Sequence, residues 1–68
     1  MIIELNGTTA ELPSGASLSD AVIATGVDPD RRGIAAALDG EVVPRPDWGR
    51  TEVREGQSVE VVRAVQGG

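Results

Sequence analysis

The 68-residue chain contains no cysteine, histidine, lysine, phenylalanine or tyrosine, and its one aromatic residue is Trp48. Each absence removes a class of chemistry. Without cysteine there is no disulfide framework, and without cysteine and histidine there is no zinc site of the usual kind. General acid–base catalysis loses its common carriers, and Ser14, Ser17, Ser19 and Ser58 have no base to activate them. The lack of lysine leaves no side-chain amine to receive an isopeptide bond. Small folds often rely on disulfides or a metal. This one must rely on packing of Val, Ile, Leu and Ala, helped by a partner. No apolar run approaches the roughly 18 residues that span a bilayer. The opening MIIELNG lacks the basic and long apolar regions of a signal peptide. A cytoplasmic protein is expected, with no membrane association.

What is present is acidic. Eleven Asp and Glu stand against six basic residues, all arginine, for a formal net charge of -5. Phosphate binding depends on positive side chains that release counterions, so nucleic acid is not an expected partner. A protein with a basic surface is. Asp28 and Asp30 fall in one loop and Glu52 and Glu55 in another, neither pair in a metal-ligand pattern. No glycine loop of the G-x-x-x-x-G-K type is present to cradle phosphate. The composition implies one domain, with no bound metal or cofactor and no independent enzymatic activity.

The elements read as follows. Met1, Ile3 and Leu5 alternate with Ile2 and Glu4, the period of a strand. Asn6-Gly7 is a strong hairpin turn signal, and Thr8 to Leu12 returns as a second strand that Pro13 ends. Ser17 and Asp20 form a capping-box pattern. Leu18, Ala21 and Val22 then share one face of a helix of about two and a half turns, which Gly26 ends. A polar connection, VDPDRRG, leads to IAAAL, residues 34–38. Its brevity and the Asp39-Gly40 turn after it favour strand over helix. Glu41 to Val43 pairs back as a fourth strand, residues 45–56 are irregular with Trp48 and Val53 as anchors, and residues 58–64 form the last strand. The fold class is α+β, a sheet with one helix on a face.

The chain ends in Gly67-Gly68. Two terminal glycines have nothing to pack and lose more freedom on ordering than any other residues, so residues 65–68 are expected to be a mobile tail after a domain of residues 1–64. They also give the thinnest thread a chain can offer to another protein's active site. With the side chains so short of reactive groups, the α-carboxylate of Gly68 is the one group that stands out. Adenylation by ATP turns such a carboxylate into an acyl phosphate anhydride open to nucleophilic attack.

The order strand, strand, helix, strand, strand, strand ending in Gly-Gly resembles the ubiquitin-like β-grasp fold, a mixed sheet of about five strands with one main helix on a face. More closely, IAAALDGEVVPRPDW followed by REGQSVEVVRAVQGG resembles the ThiS family of sulfur carriers of thiamine (thiazole) biosynthesis, over essentially the whole chain. Asp39 stands where that family commonly has Asn before Gly, and both suit the turn. The resemblance implies a set of partners: a ThiF-like adenylating enzyme that uses ATP, a persulfide sulfur donor, and the thiazole synthase ThiG. It implies that Gly68 is adenylated and then carries sulfur as a thiocarboxylate. It implies that Val65, Gln66 and Gly67 thread into the partners, and that the free carrier is a monomer without catalytic residues of its own.

Alternatives within the fold are the small subunit of molybdopterin synthase, a carrier for tRNA thiolation and a protein modifier joined through Gly68. A non-covalent β-grasp interaction module is a further one. Ala35 and Ala37 lie in a small-residue strand that serves either tight packing beneath the helix or a flat outer face for docking. Trp48 is a loop anchor on the core, with partner contact as the alternative. Arg45, Arg50 and Arg63 read as solvated surface.

Overall fold

The structure is a computed structural model that describes residues 1–63. Strand β1 (Ile2–Leu5) and strand β2 (Thr8–Glu11) form an antiparallel hairpin with Ile3 opposite Ala10. Asn6 and Gly7 at its turn both have positive φ, 50° and 79°. That is the mirror-image turn whose twist matches two right-twisted strands. Asp39 and Gly40 repeat the geometry, with φ of 50° and 83°, between strand β3 (Ile34–Leu38) and strand β4 (Glu41–Val43). Short polar side chains tolerate the first of these positions and glycine the second.

Helix α1 (Leu18–Ala24) starts as its sequence dictates. The Ser17 hydroxyl accepts the Asp20 N–H, and the Asp20 carboxylate accepts the Ser17 N–H at 2.8 Å, so both halves of the capping box form. Leu18, Ala21 and Val22 are buried along one face. The start of the helix is tied to the chain beyond Trp48: Leu18 N–H donates to Thr51 O, and Val53 N–H donates to Ala16 O. Seven residues are too few to hold as a helix alone, and α1 is held by its packing on the sheet.

Strand β5 (Ser58–Arg63) completes a five-stranded sheet in the order β2-β1-β5-β3-β4. It runs parallel to β1 and antiparallel to β3, so the sheet is mixed and its last strand is central. The core lies between α1 and one face of this sheet. It consists of Ile3, Leu12, Ala16, Leu18, Ala21, Val22, Ile34, Ala36, Trp48, Val53 and Val59. No polar or charged residue is buried among the described residues, as expected where aliphatic packing alone supplies the stability. No helix among them is long and apolar enough to cross a membrane.

The sequence reading needs adjustment at two places. Residues 45–50, expected to be irregular, form a 3-10 helix. The fixed φ of Pro44 and Pro46 suits such a turn, Asp47 N–H donates to Pro44 O, and the Thr51 hydroxyl caps Asp47 O at 2.7 Å. Leu12 falls just beyond β2, although it is buried and its N–H donates to Met1 O. The last strand ends at Arg63 within the described residues. Ala64, expected as its end, lies outside them, as do Val65, Gln66, Gly67 and Gly68, and with them the expected boundary between domain and tail.

Candidate functional site

Strand β5 is central in the sheet and is followed in sequence by residues 64–68, so the site is built around it. Period-2 alternation puts Val59 and Val61 toward the helix and Ser58, Glu60 and Val62 on the opposite, outer face. The register then decides their neighbours. Ala35 lies opposite Val62, Ala37 opposite both Glu60 and Val42. Val62 is 57 % exposed, Val42 69 %, Ala35 is exposed and Ala37 half-buried. These four residues from three strands make an apolar patch on the outer face beside the end of β5. The alanines keep it flat, since neither projects beyond a methyl group.

Acidic residues lie beyond the patch. Glu60 sits one pair back along β5, level with Ala37, and Glu4 of β1 lies opposite Ser58. Glu11 lies opposite Ile2 on the same outer face. All three carboxylates are exposed.

Two turn side chains brace β5 against its neighbours. The Asn6 side-chain carbonyl accepts the Val61 N–H at 2.8 Å, one step past the point where β1 ends. The Asp39 carboxylate accepts the Ser58 N–H at 2.8 Å and the Gln57 amide at 3.0 Å, while Asp39 N–H donates to Ser58 O. Each side chain acts as an extra rung of the ladder and satisfies a strand N–H that the short neighbouring strand does not reach. An Asp at position 39 performs this role with acceptors only, so its difference from Asn leaves the contact intact.

Trp48 is an anchor of the core. It is 2 % exposed, and its indole N–H donates to Val43 O at 2.8 Å. Its burial favours the anchor expectation over partner contact. Arg45, read from sequence as solvated surface, lies across this ring with its guanidinium carbon 4.9 Å from the centroid. The same guanidinium donates to Pro29 O and Arg31 O, so one side chain pins the 27–33 connection to the 3-10 helix.

The expected docking pair Ala35 and Ala37 does lie on the outer face, and Ala36 between them is 1 % exposed in the core. The alternatives left open for this strand are thus divided by alternation, with Ala36 packing and its neighbours facing out. Val42 and Val62 were not singled out from sequence. The doubled valines of EVV and EVVR carried the signal, because two adjacent valines in a strand must point to opposite faces. Among the described residues no group of three or more His, Cys, Asp or Glu is placed to hold a metal.

The ThiS family profile matches residues 2–68, nearly the whole chain and through both terminal glycines. The chain belongs to the ThiS family. Two solved structures agree in fold with this ThiS-family chain. The crystal structure of a thiamine biosynthesis protein (ThiS) from Geobacter metallireducens has a TM-score of 0.80 at 24 % identity, with each chain covered in full. The NMR solution structure of a thiamine biosynthesis protein from Geobacter metallireducens has a TM-score of 0.78 at 26 % identity, covering 100 % of this chain and 88 % of that one. Among curated proteins no sequence matches this chain. The five-stranded mixed sheet with one main helix is the ubiquitin-like β-grasp architecture of the ThiS fold.

Proposed function

We propose that this ThiS-family protein is a sulfur carrier for the thiazole of thiamine, loaded at the α-carboxylate of Gly68. The observation that carries the reading is the family match running unbroken through Gly67-Gly68. The ladder geometry supports it, because the tail continues from the central strand, the most firmly held element of the sheet. A force or a torque on the tail is then resisted by ladders on both sides of β5 and by the Asn6 and Asp39 side chains.

In the proposed cycle a ThiF-like partner uses ATP. A carboxylate oxygen of Gly68 attacks the α-phosphorus, pyrophosphate leaves, and the acyl carbon becomes electrophilic. A persulfide donor's terminal sulfur displaces AMP, and a thiol cleaves the resulting S–S bond to leave the thiocarboxylate. Thiazole synthase of the ThiG type takes that sulfur. Every catalytic group belongs to the partners. The carrier supplies a thread, residues 65–68, in which Val65, Gln66 and Gly67 lie in the partner's channel, and a surface that docks.

The docking surface is the outer-face patch of Ala35, Ala37, Val42 and Val62, and its occupant is the adenylating partner. Continuity supports this choice: only residues 63 and 64 separate Val62 from the thread, so a protein that holds the thread comes close to the patch. Apolar exposure of this kind marks interaction sites. Ala35→Glu places a charge at the centre of the patch without touching the core. It is expected to raise KM for the carrier in adenylation about tenfold or more, with thermal stability unchanged. Unaltered KM would remove the patch from the interface.

The reading itself is tested by the intact mass of the protein isolated from its native host, with fragmentation at the C-terminus. A species with one oxygen replaced by sulfur at Gly68 is expected. Localisation is essential, because oxidation of Met1 adds nearly the same mass. Carboxylate alone, even after incubation with ATP, sulfur donor and adenylating enzyme, would count against the carrier. Covalent adducts with other proteins would favour a modifier.

A further inference from the structure

Six arginines are distributed unevenly over an acidic molecule. Arg50 pairs with Asp47, and Arg54 lies 3.8 Å from Glu52. Arg45 spends its donors on the carbonyls of Pro29 and Arg31. Among the described residues the remaining three, Arg31, Arg32 and Arg63, form no ion pair, and all three are exposed. Arg63 is the last residue of β5 and lies opposite Ile34, the first residue of β3. Only Gly33 separates Ile34 from Arg32. The Arg45 clamp fixes the connection that carries Arg31 and Arg32, so their charge is presented from a held backbone.

We infer that Arg31, Arg32 and Arg63 form a basic collar at the root of the tail that is read by acidic side chains at the mouth of the adenylating partner's channel. This inference rests on the carrier reading above. Three acids neighbour the collar in sequence. Asp28 and Asp30 precede the arginines on the same connection, with Asp28 accepting the Asp30 N–H, and Glu60 is three residues back on the outer face.

Distance excludes the nucleotide as the collar's ligand. Five residues, 64–68, follow Arg63, and an extended thread of that length spans about 17 Å. The phosphates meet the chain at Gly68, beyond the reach of an arginine side chain at the root. The groups within reach are those that surround the entrance.

The physical role is orientation. A molecule of net charge -5 is attracted to a basic surface by any of its faces. A basic collar at one end, with Glu4, Glu11 and Glu60 away from it on the outer face, gives the approach a preferred direction. An acidic mouth set in a partner with basic surroundings meets the tail first and the carboxylates second. Such complementarity acts on association and is weakened by salt.

The test uses the full chain, its adenylating enzyme and ATP, with ATP–pyrophosphate exchange measured at low and high ionic strength. The double variant Arg32→Glu/Arg63→Glu is expected to raise KM for the carrier about tenfold at low salt, with kcat retained and the difference shrinking at high salt. Arg54→Glu, remote from the tail, is expected to change neither. Arg31→Glu/Arg32→Glu, which lies outside every strand, gives the same reading should substitution at the end of β5 prevent folding. KM values equal to that of the unaltered protein, or a loss indifferent to salt, would overturn the collar. Failure of the unaltered protein to support exchange would instead overturn the carrier reading and the collar with it.

Discussion

Removal of Gly67 and Gly68 is expected to abolish sulfur transfer while leaving the domain folded. The reason is a division between the two ends of β5. Among the described residues, every core residue precedes Arg63, so the truncated chain keeps that packing, and its thermal stability is expected to stay within about 0.5 kcal/mol of the full chain. The reacting carboxylate, however, is moved back by two residues. An extended chain covers about 3.3–3.6 Å per residue, so the new terminus stops roughly 7 Å short of the α-phosphate. No side-chain motion makes good such a gap, because there is no side chain that carries the reacting group. Thiocarboxylate formation and thiazole sulfur incorporation should both be undetectable, as measured by intact mass and by product formation. Retained transfer would refute the carrier reading. Gly67→Val separates thread thickness from the loss of the carboxylate: the terminus stays in place, but a Cβ widens the thread and restricts its backbone. Misplacement of a reacting group by about 1 Å can cost about 100-fold, and a loss of that order in kcat/KM for adenylation is expected.

Trp48→Ala is expected to remove about a third or more of the domain's stability. Domains are stable by about 0.05–0.15 kcal/mol per residue, which for a chain of this size is about 3–10 kcal/mol in all. Truncating a buried tryptophan to alanine costs about 3–5 kcal/mol. Here the indole is the largest core side chain in a molecule with no other aromatic residue. It also satisfies Val43 O at the end of β4 and carries the Arg45 guanidinium that holds the 27–33 connection. At about 4–8 °C per kcal/mol for a domain of this size, the melting temperature should fall by at least about 12 °C. Far-UV circular dichroism is the measurement to use, because the substitution removes the protein's fluorophore. Trp48→Phe keeps most of the packing and loses the N–H, and a cost of about 1–2 kcal/mol is expected from the carbonyl left unpaired. A melting temperature unchanged in Trp48→Ala would show that the anchor reading is mistaken.

The strong local signals in this chain were legible without the structure. Asn6-Gly7 and Asp39-Gly40 specify hairpins through the φ values they tolerate, and Ser17 with Asp20 specifies a helix start through two reciprocal hydrogen bonds. These devices act within four residues, so near neighbours alone make them readable. The terminal glycines are legible for a related reason: the absence of a side chain is itself the property that matters. The 3-10 helix at residues 45–50 was not legible. It has no apolar period, and what holds it is the burial of Trp48 against residues far away in sequence.

The surface divides along the same line. Alternation alone places Val62 and Ala35 on the face opposite Val59 and Ala36, but only the pairing register puts them opposite each other and adds Val42 to the patch. Likewise Arg63 lies far in sequence from the adjacent pair Arg31 and Arg32. They meet because β3 and β5 are antiparallel, with the start of one beside the end of the other. The sequence by itself determined the turns, the helix cap, the lack of reactive side chains and the thin glycine end, because each depends on residue type and near neighbours. Strand order, and with it the apolar patch, the acidic margin and the basic collar around the tail, was decided only by the tertiary structure. Hydrogen bonds between strands fix contacts across dozens of residues that no local preference encodes.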